Sequence, residues 1–162
     1  MSRFTAPLVV TPLNDGRTWR IVNSTYSYGD QDTFYWHTDF RYDIGEKGSG
    51  LSVQPPANFE TDFASIPRLL WWLLPVWGRY GKAAVIHDYL YRGGKISVAE
   101  EVYGVPENTL MPPFRLPHPS RQQADQIMLE AMEVLEVPRW QRRLIYAGVR
   151  VGGWWAWRRN RQ

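Results

Sequence analysis

The pattern of hydrophobic and polar positions changes near residue 61. Before that point, short β-branched and aromatic runs alternate with polar residues, a period of two that is typical of strands. After it, apolar residues recur every three or four positions, as they do on one face of a helix. The sequence therefore predicts an α+β fold, with an N-terminal small antiparallel sheet of about four strands and a C-terminal half of three to four helices.

Four segments among the first 60 residues carry the strand pattern. We expect strands within residues 7–13, 17–28, 34–44 and 51–53. The sequence Asn14-Asp15-Gly16 separates the first two, and this combination favours the tight turn of a β-hairpin. Residues 1–60 therefore form the mainly extended half of what we expect to be a single domain over residues 1–162.

The second half, residues 61–162, carries the helical pattern. We expect a short apolar helix over residues 69–74, a second over about 82–91, a third that begins after Ser120, and a fourth from Pro138 to Gly152-Gly153. Ser120 and Gln123 have the spacing of a capping box, which marks a helix start. Residues 93–119 are rich in Gly and Pro and predict an excursion over the surface, with a short helix or strand near 97–103.

An adjacent His87 and Asp88 lie inside the apolar helix predicted over residues 82–91. Burying such groups costs free energy unless they are paired, so their position indicates a polar site. Asp125 falls at the edge of the apolar stripe of the helix after Ser120, and Tyr91 shares a face with His87. If the two helices pack antiparallel, Asp125 reaches His87 and orients its imidazole as a general base for water. The same pair would also serve as a purely structural hydrogen-bond network.

A polar turn with Asp62, Ser65 and Arg68 precedes the helical half. Oxygen atoms of this turn, together with Asp88, have the chemistry to hold a hard cation such as calcium. In a second interpretation, Arg68 forms an ion pair with Asp88 or with Asp125. In a third interpretation, Asp62 and Ser65 only cap the helix that Pro67 begins.

Composition narrows the classes of protein and partner. The chain has no cysteine, which excludes disulfides and thiolate metal sites, and no apolar run long enough for a membrane span. The net charge is only +3, yet the 24 residues from Arg139 contain seven arginines and no acidic residue. We expect either a solvated end there or an interface, which would be formed by Trp154, Trp155, Trp157, Arg158 and Arg159. A protein partner is favoured over nucleic acid, because no nucleic-acid-binding motif is present.

We treat His37 and His118 as isolated polar residues, since their spacing supports no metal site with His87.

The segment H-D-Y-L-Y at residues 87–91 resembles the H-D-x-x-Y helix of secreted phospholipases of the A-two class. The resemblance implies that His87 is a general base, that Asp88 is a calcium ligand and that Asp125 orients the histidine. Tyr91 matches the tyrosine of that motif. The resemblance to these phospholipases covers two helices of the chain.

A broader resemblance rests on four separated motifs that occur in order: T-D-F-A-S-I-P-R, A-A-V-I-H-D-Y-L-Y, R-x-x-A-D and R-V-G-G. They resemble the domain-of-unknown-function family number 1353, which is common in tailed bacteriophages and prophages. The resemblance implies a phage protein made in the host cytoplasm, with other phage proteins or a host-envelope component as its partner. The expected function is a hydrolase of an envelope ester or amide. The alternative is a non-catalytic virion component of the tail or its attachment region.

Overall fold

The structure is a computed structural model that describes most of the chain. It describes residues 3–14, 18–22, 24–28, 34–38, 40–62, 79–98 and 118–159, with the backbone alone at 24–28 and 34–38. The helix predicted over 69–74, the residues Ser65 and Arg68, and Asp15-Gly16 of the predicted turn lie outside these residues. Of the predicted surface excursion, only the two ends are described.

The described residues form an α+β fold, as predicted. The strands are β1 Val10–Pro12, β2 Trp19–Ile21, β3 Ser24–Tyr28, β4 Phe34–Thr38, β5 Tyr42–Asp43, β6 Leu51–Val53, β7 Glu60–Thr61 and β8 Ser97–Val98. The helices are α1 Gly81–Tyr91, α2 Arg121–Val134 and α3 Arg139–Arg159.

The strands pair antiparallel in three small sheets, with the orders β1-β2-β7, β3-β4 and β5-β6-β8. Strands β1 and β2, which flank the predicted turn, pair with each other: Val10 pairs with Ile21, and Leu13 N–H donates to the Thr18 carbonyl at 2.8 Å. The strands predicted over 17–28 and 34–44 each divide in two, and their halves join different sheets. The reason is that alternation marks extended chain, whereas hydrogen bonds to distant residues decide which strands pair.

Helix α1 begins beside the buried Tyr80 and ends at Tyr91, and Gly93, two residues later, has a φ of +86°, which favours glycine. Most of its residues are buried: Ala83, Ala84, Val85, Ile86, His87, Asp88, Leu90 and Tyr91. A helix that is buried on most sides lies in the centre of a core. It therefore positions His87 and Asp88 away from bulk water.

The capping box at the start of α2 is present as predicted. Gln123 N–H donates to Ser120 Oγ at 3.2 Å, and Ser120 N–H donates to Gln123 Oε1 at 2.8 Å. The predicted apolar stripe of α2 is buried at Ala124, Ile127, Met128 and Ala131 and is partly buried at Leu135. The cap fixes where α2 begins, and so fixes which face carries Asp125.

The prediction that the last helix ends at Gly152-Gly153 was wrong. Helix α3 continues through both glycines to Arg159. Glycine lowers helix propensity by only about 1 kcal/mol, and Trp157, on the turn after the glycines, packs against the core. Tertiary packing of the last turns thus outweighs the local preference.

The core draws residues from both halves of the chain, including Ile21, Phe40 and Val53 from the strand half. Glu130 of α2 connects the two halves, because its Oε1 accepts hydrogen bonds from the Tyr42 hydroxyl at 2.7 Å and from Gly45 N–H at 2.9 Å. Within the described ranges, no helix has the length and apolar character to cross a membrane.

Candidate functional site

The polar site joins α1 to α2 through a buried carboxylate. His87 Nε2 lies 2.9 Å from Asp125 Oδ1, and the Tyr91 hydroxyl donates to the same oxygen at 2.6 Å. His87 and Asp125 are 2% and 0% exposed, and Tyr91 is buried beside them. Since His87 and Tyr91 are four residues apart on α1, they share the face that meets α2. The predicted contact between His87 and Asp125 is confirmed.

Helix α3 supplies the cation that neutralises Asp125. Arg150 donates through a guanidinium nitrogen to Asp125 Oδ2 at 2.8 Å. Arg121, one turn before Asp125 on α2, donates to the Arg150 carbonyl at 2.9 Å. The carboxylate therefore receives hydrogen bonds from α1 and α3 while it is carried by α2, so the three helices are held together at one point.

The hydrogen bonds decide the ionisation of Asp125. Burial acts to raise the pKa of Asp125, but the hydrogen bonds from His87, Tyr91 and Arg150 outweigh burial, so the pKa lies below its usual value. The hydrogen bond to Asp125 in turn raises the pKa of Arg150. Asp125 is therefore a carboxylate and Arg150 a guanidinium at neutral pH.

Tyr91 is held from three sides. Burial, followed by the hydrogen bond to Asp125, raises the pKa of Tyr91, so its hydroxyl stays protonated and donates. Its ring lies 4.0 Å from the His87 ring and packs edge-on against Trp157 at 5.0 Å between centroids. Gly153 faces its hydroxyl, where a side chain would collide. Tyr91 thus fixes the position of Asp125 without being an acid itself.

The arrangement sets the tautomer of His87. An ionised carboxylate only accepts hydrogen bonds, so Nε2 must carry the proton that faces Asp125. In the neutral ring, Nδ1 then carries the lone pair. A histidine in this tautomer can accept a proton at Nδ1, and Asp125 stabilises the imidazolium that results.

Asp88 faces a different element from His87. The Thr61 hydroxyl of β7 donates to Asp88 Oδ2, and both residues are buried. Arg92 binds the Glu60 carbonyl at 2.9 Å and Asp62 Oδ1 at 3.3 Å. Asp88 and Arg92 therefore hold β7 against the end of α1. The described residues contain no group of three or more His, Asp or Glu side chains that could hold a metal.

The family assignment follows from a comparison with known protein families. The family described as "Protein of unknown function (DUF1353)" matches residues 34–149, well over half of the chain. The chain belongs to the DUF1353 family. No curated protein and no solved structure matches the chain.

The motifs that carried the resemblance to this family come together in the structure. His87 and Tyr91 from A-A-V-I-H-D-Y-L-Y bind Asp125 from R-x-x-A-D, which in turn binds Arg150 from R-V-G-G. Thr61, which opens T-D-F-A-S-I-P-R, binds Asp88 of the same helix. Segments far apart in sequence therefore converge on α1.

Sequence reasoning missed Arg150 and Thr61 as partners of the two aspartates. The sequence offers Arg68 as an alternative partner of Asp88 or Asp125, but Arg68 lies outside the described residues, and Arg150 is one of the seven arginines of the C-terminal segment. The signal was present in R-V-G-G, which combines an arginine with a glycine, Gly153, that lies against Tyr91 of α1. Thr61 gave no comparable signal.

The predicted interface residues divide into two groups. Trp154, Trp155, Arg158 and Arg159 are exposed, and the Arg158 guanidinium lies over the Trp154 ring at 4.3 Å. Trp157 instead packs against Tyr91. His118 is exposed, and the side chain of His37 lies outside the described residues. His118 therefore takes no part in the His87 site as described.

Proposed function

We propose that this DUF1353 protein is a hydrolase whose general base is His87. One observation supports the proposal above the others: Asp125 binds His87 Nε2 at 2.9 Å and is itself fixed by Tyr91 and Arg150. An imidazole held in one tautomer by an oriented carboxylate is a recurring device for activating water. The local resemblance to the H-D-x-x-Y helix of secreted phospholipases points to the same chemistry.

In the proposed reaction, His87 Nδ1 accepts a proton from water as the water oxygen attacks a carbonyl carbon. The tetrahedral intermediate then collapses, and its C–O or C–N bond breaks. His87 returns the proton to the leaving oxygen or nitrogen, so the histidine ends as it began. Asp125 stabilises the imidazolium between these two steps, and Tyr91 holds Asp125 in place. Both are positioning residues.

The substrate class we favour is an ester or amide of the bacterial envelope, either phospholipid or peptidoglycan. This choice rests on the resemblance to a family of tailed phages and prophages. In this view the protein is made in the host cytoplasm and acts on the envelope or with other phage proteins. Asp88 is the residue that would bind calcium by analogy with the phospholipase motif.

The test compares wild type with His87→Gln on fluorogenic phospholipid, peptidoglycan and simple ester substrates. Glutamine keeps an amide that can donate to Asp125 but cannot accept a proton as a base. We expect hydrolysis by the wild type and a loss of about 10²–10⁴-fold in kcat/KM in His87→Gln. Each assay is run with calcium and with EDTA, because calcium dependence would implicate Asp88.

The matched control is His118→Gln, the same substitution at an exposed histidine. Circular dichroism and urea unfolding establish that each variant folds. A folded His87→Gln that keeps wild-type activity would remove His87 as the base. Equal losses in both histidine variants would mean that the loss does not report on His87, and would also remove His87 as the base.

The burial of the site favours a second candidate function. His87 is 2% exposed and Asp125 is 0% exposed, and Arg150 already balances the charge of Asp125. These are properties of a structural network that holds three helices together, as in a non-catalytic component of the phage tail or its attachment region. This candidate predicts no hydrolysis by the wild type, together with a large loss of stability in His87→Gln. Mass spectrometry of purified virions would then detect the protein.

A further inference from the structure

The outer side of α3 carries an apolar stripe that faces away from the core. Its buried residues are Ile145 and Val149. About half a turn away lie Trp140, Ala147, Val151 and Trp154, whose spacings of seven, four and three place them on one side of the helix. Trp140, Val151 and Trp154 are 53%, 83% and 41% exposed. These four residues are here called the outer stripe.

Arginines flank the outer stripe. Two arginines of α3 bind acidic residues of α2, since Arg142 pairs with Glu133 and Arg150 with Asp125. Four others are exposed: Arg139, Arg143, Arg158 and Arg159. The sequence has no acidic residue from position 139 to its last residue. The outer side of α3 is therefore apolar and cationic at the same time.

Tryptophan gives this surface a preference for one kind of partner. Trp155, which follows the stripe residue Trp154, is 75% exposed, and Arg158 stacks on the Trp154 ring. An indole combines a large apolar ring with an N–H donor, and tryptophan is enriched where a bilayer meets water. Helices that lie in this interface combine such rings with arginine or lysine.

We propose that the outer stripe and its flanking arginines bind the surface of an anionic lipid bilayer. The helix lies in the plane of the interface, with Trp154, Trp155 and Val151 among the upper acyl chains. The exposed guanidinium groups bind lipid phosphates, which attract basic residues near the surface. Because α3 lacks the apolar character to cross the bilayer, it binds from one side. The inference does not depend on whether His87 is a catalytic base.

A second copy of the chain is a poorer occupant of this surface. Pairing two outer stripes would bring Arg143 and Arg158 of each copy towards arginines of the other, with no acidic residue of α3 between them. Like charges brought together oppose association. A bilayer rich in anionic headgroups has the complementary charge. An acidic groove on another protein is the remaining competitor.

The experiment is sedimentation of the full chain with vesicles of phosphatidylcholine alone or mixed with phosphatidylglycerol. The test variant reverses two charges, Arg158→Glu with Arg159→Glu. Its control makes the same change in net charge elsewhere, with Lys47→Glu and Arg79→Glu at exposed positions. We expect the test variant to bind the anionic vesicles at least roughly tenfold more weakly than wild type, because each basic residue near the surface contributes to binding. The control should change binding much less.

A second pair of variants tests the apolar contribution. Val151→Ser should weaken vesicle binding, whereas Val9→Ser, at another exposed valine, should not. Three results would overturn the proposal: no sedimentation of wild type with anionic vesicles, equal sedimentation with neutral ones, or equal effects of the two double variants. The first is the result expected if α3 serves an acidic protein groove. Where His87→Gln is folded by circular dichroism, it should bind vesicles like the wild type, which separates this property from catalysis.

Discussion

Gly153 of α3 lies so close to Tyr91 of α1 that a Cβ atom at this position would be 2.6 Å from the tyrosine hydroxyl oxygen. That hydroxyl donates to Asp125 at 2.6 Å, and the ring packs on Trp157. Any side chain at position 153 must therefore displace a buried tyrosine from the polar site. The contact shows why α3 carries glycine at this point.

The first prediction compares the two adjacent glycines of α3. Gly152→Ala meets no atom within 4 Å, so the helix propensity of alanine should raise the free energy of unfolding by about 0.5–1 kcal/mol. Gly153→Ala should instead lower it, since overpacking costs about 1–3 kcal/mol and exceeds that gain. Urea unfolding of both variants measures the difference. Equal effects of the two substitutions would mean that Tyr91 moves aside without loss.

The second prediction concerns the two arginines of α3 that bind carboxylates. Arg150→Met removes the cation from Asp125, which is 0% exposed, and should clearly lower the urea midpoint. Arg142→Met breaks the pair with Glu133, whose side chain is 67% exposed, and should leave the midpoint nearly unchanged. Adding salt should weaken only the Arg142 pair. Similar midpoints for the two variants would contradict a stabilising role for Arg150.

The third prediction is a pH dependence of stability that originates at Asp125. Burial acts to raise the pKa of Asp125, but the hydrogen bonds from His87, Tyr91 and Arg150 lower it by more. The folded pKa of Asp125 therefore lies below the ordinary value of 3.8. A carboxyl group with a lowered folded pKa binds protons more readily in the unfolded chain. Its stabilising contribution is therefore complete above pH 3.8 and is lost as the pH falls through the folded pKa.

Unfolding curves of wild type and Asp125→Asn, recorded between pH 7 and acid, measure this contribution. The stability difference between the two proteins should be constant near neutral pH and should shrink below about pH 4. A difference that grows on acidification would show that Asp125 titrates in the opposite sense.

The fourth prediction concerns the bond between Thr61 and Asp88. Thr61→Val keeps the shape of the buried side chain but removes a hydroxyl that donates to the buried carboxylate. The loss should cost about 1–3 kcal/mol. Thr5→Val is the control, because the Thr5 hydroxyl bonds the Arg41 backbone at an exposed position where water can replace it. If both variants lose the same stability, Thr61 does not anchor β7.

Sequence patterns located the helices better than the sheets. The boundaries of α1 and the start of α2 follow from local features, namely the apolar run that ends at Gly93 and the capping box at Ser120. The segment over residues 17–28 was correctly predicted to be extended, but it serves two sheets. Helical hydrogen bonds join near neighbours, whereas strand pairing joins residues that the alternation pattern does not connect.

The α+β class and the candidate residues His87 and Asp125 are predictable from the sequence, because period, capping and the cost of burying charge are local properties. That the two side chains meet depends on the packing of α1 against α2. That Arg150 neutralises Asp125 and that Thr61 binds Asp88 follows from the tertiary packing alone. Each aspartate had several candidate partners in the sequence, and the packing of α3 and β7 against α1 selected one of them. The same packing continues α3 through Gly152 and Gly153, because contacts made beyond the glycines outweigh their low helix propensity.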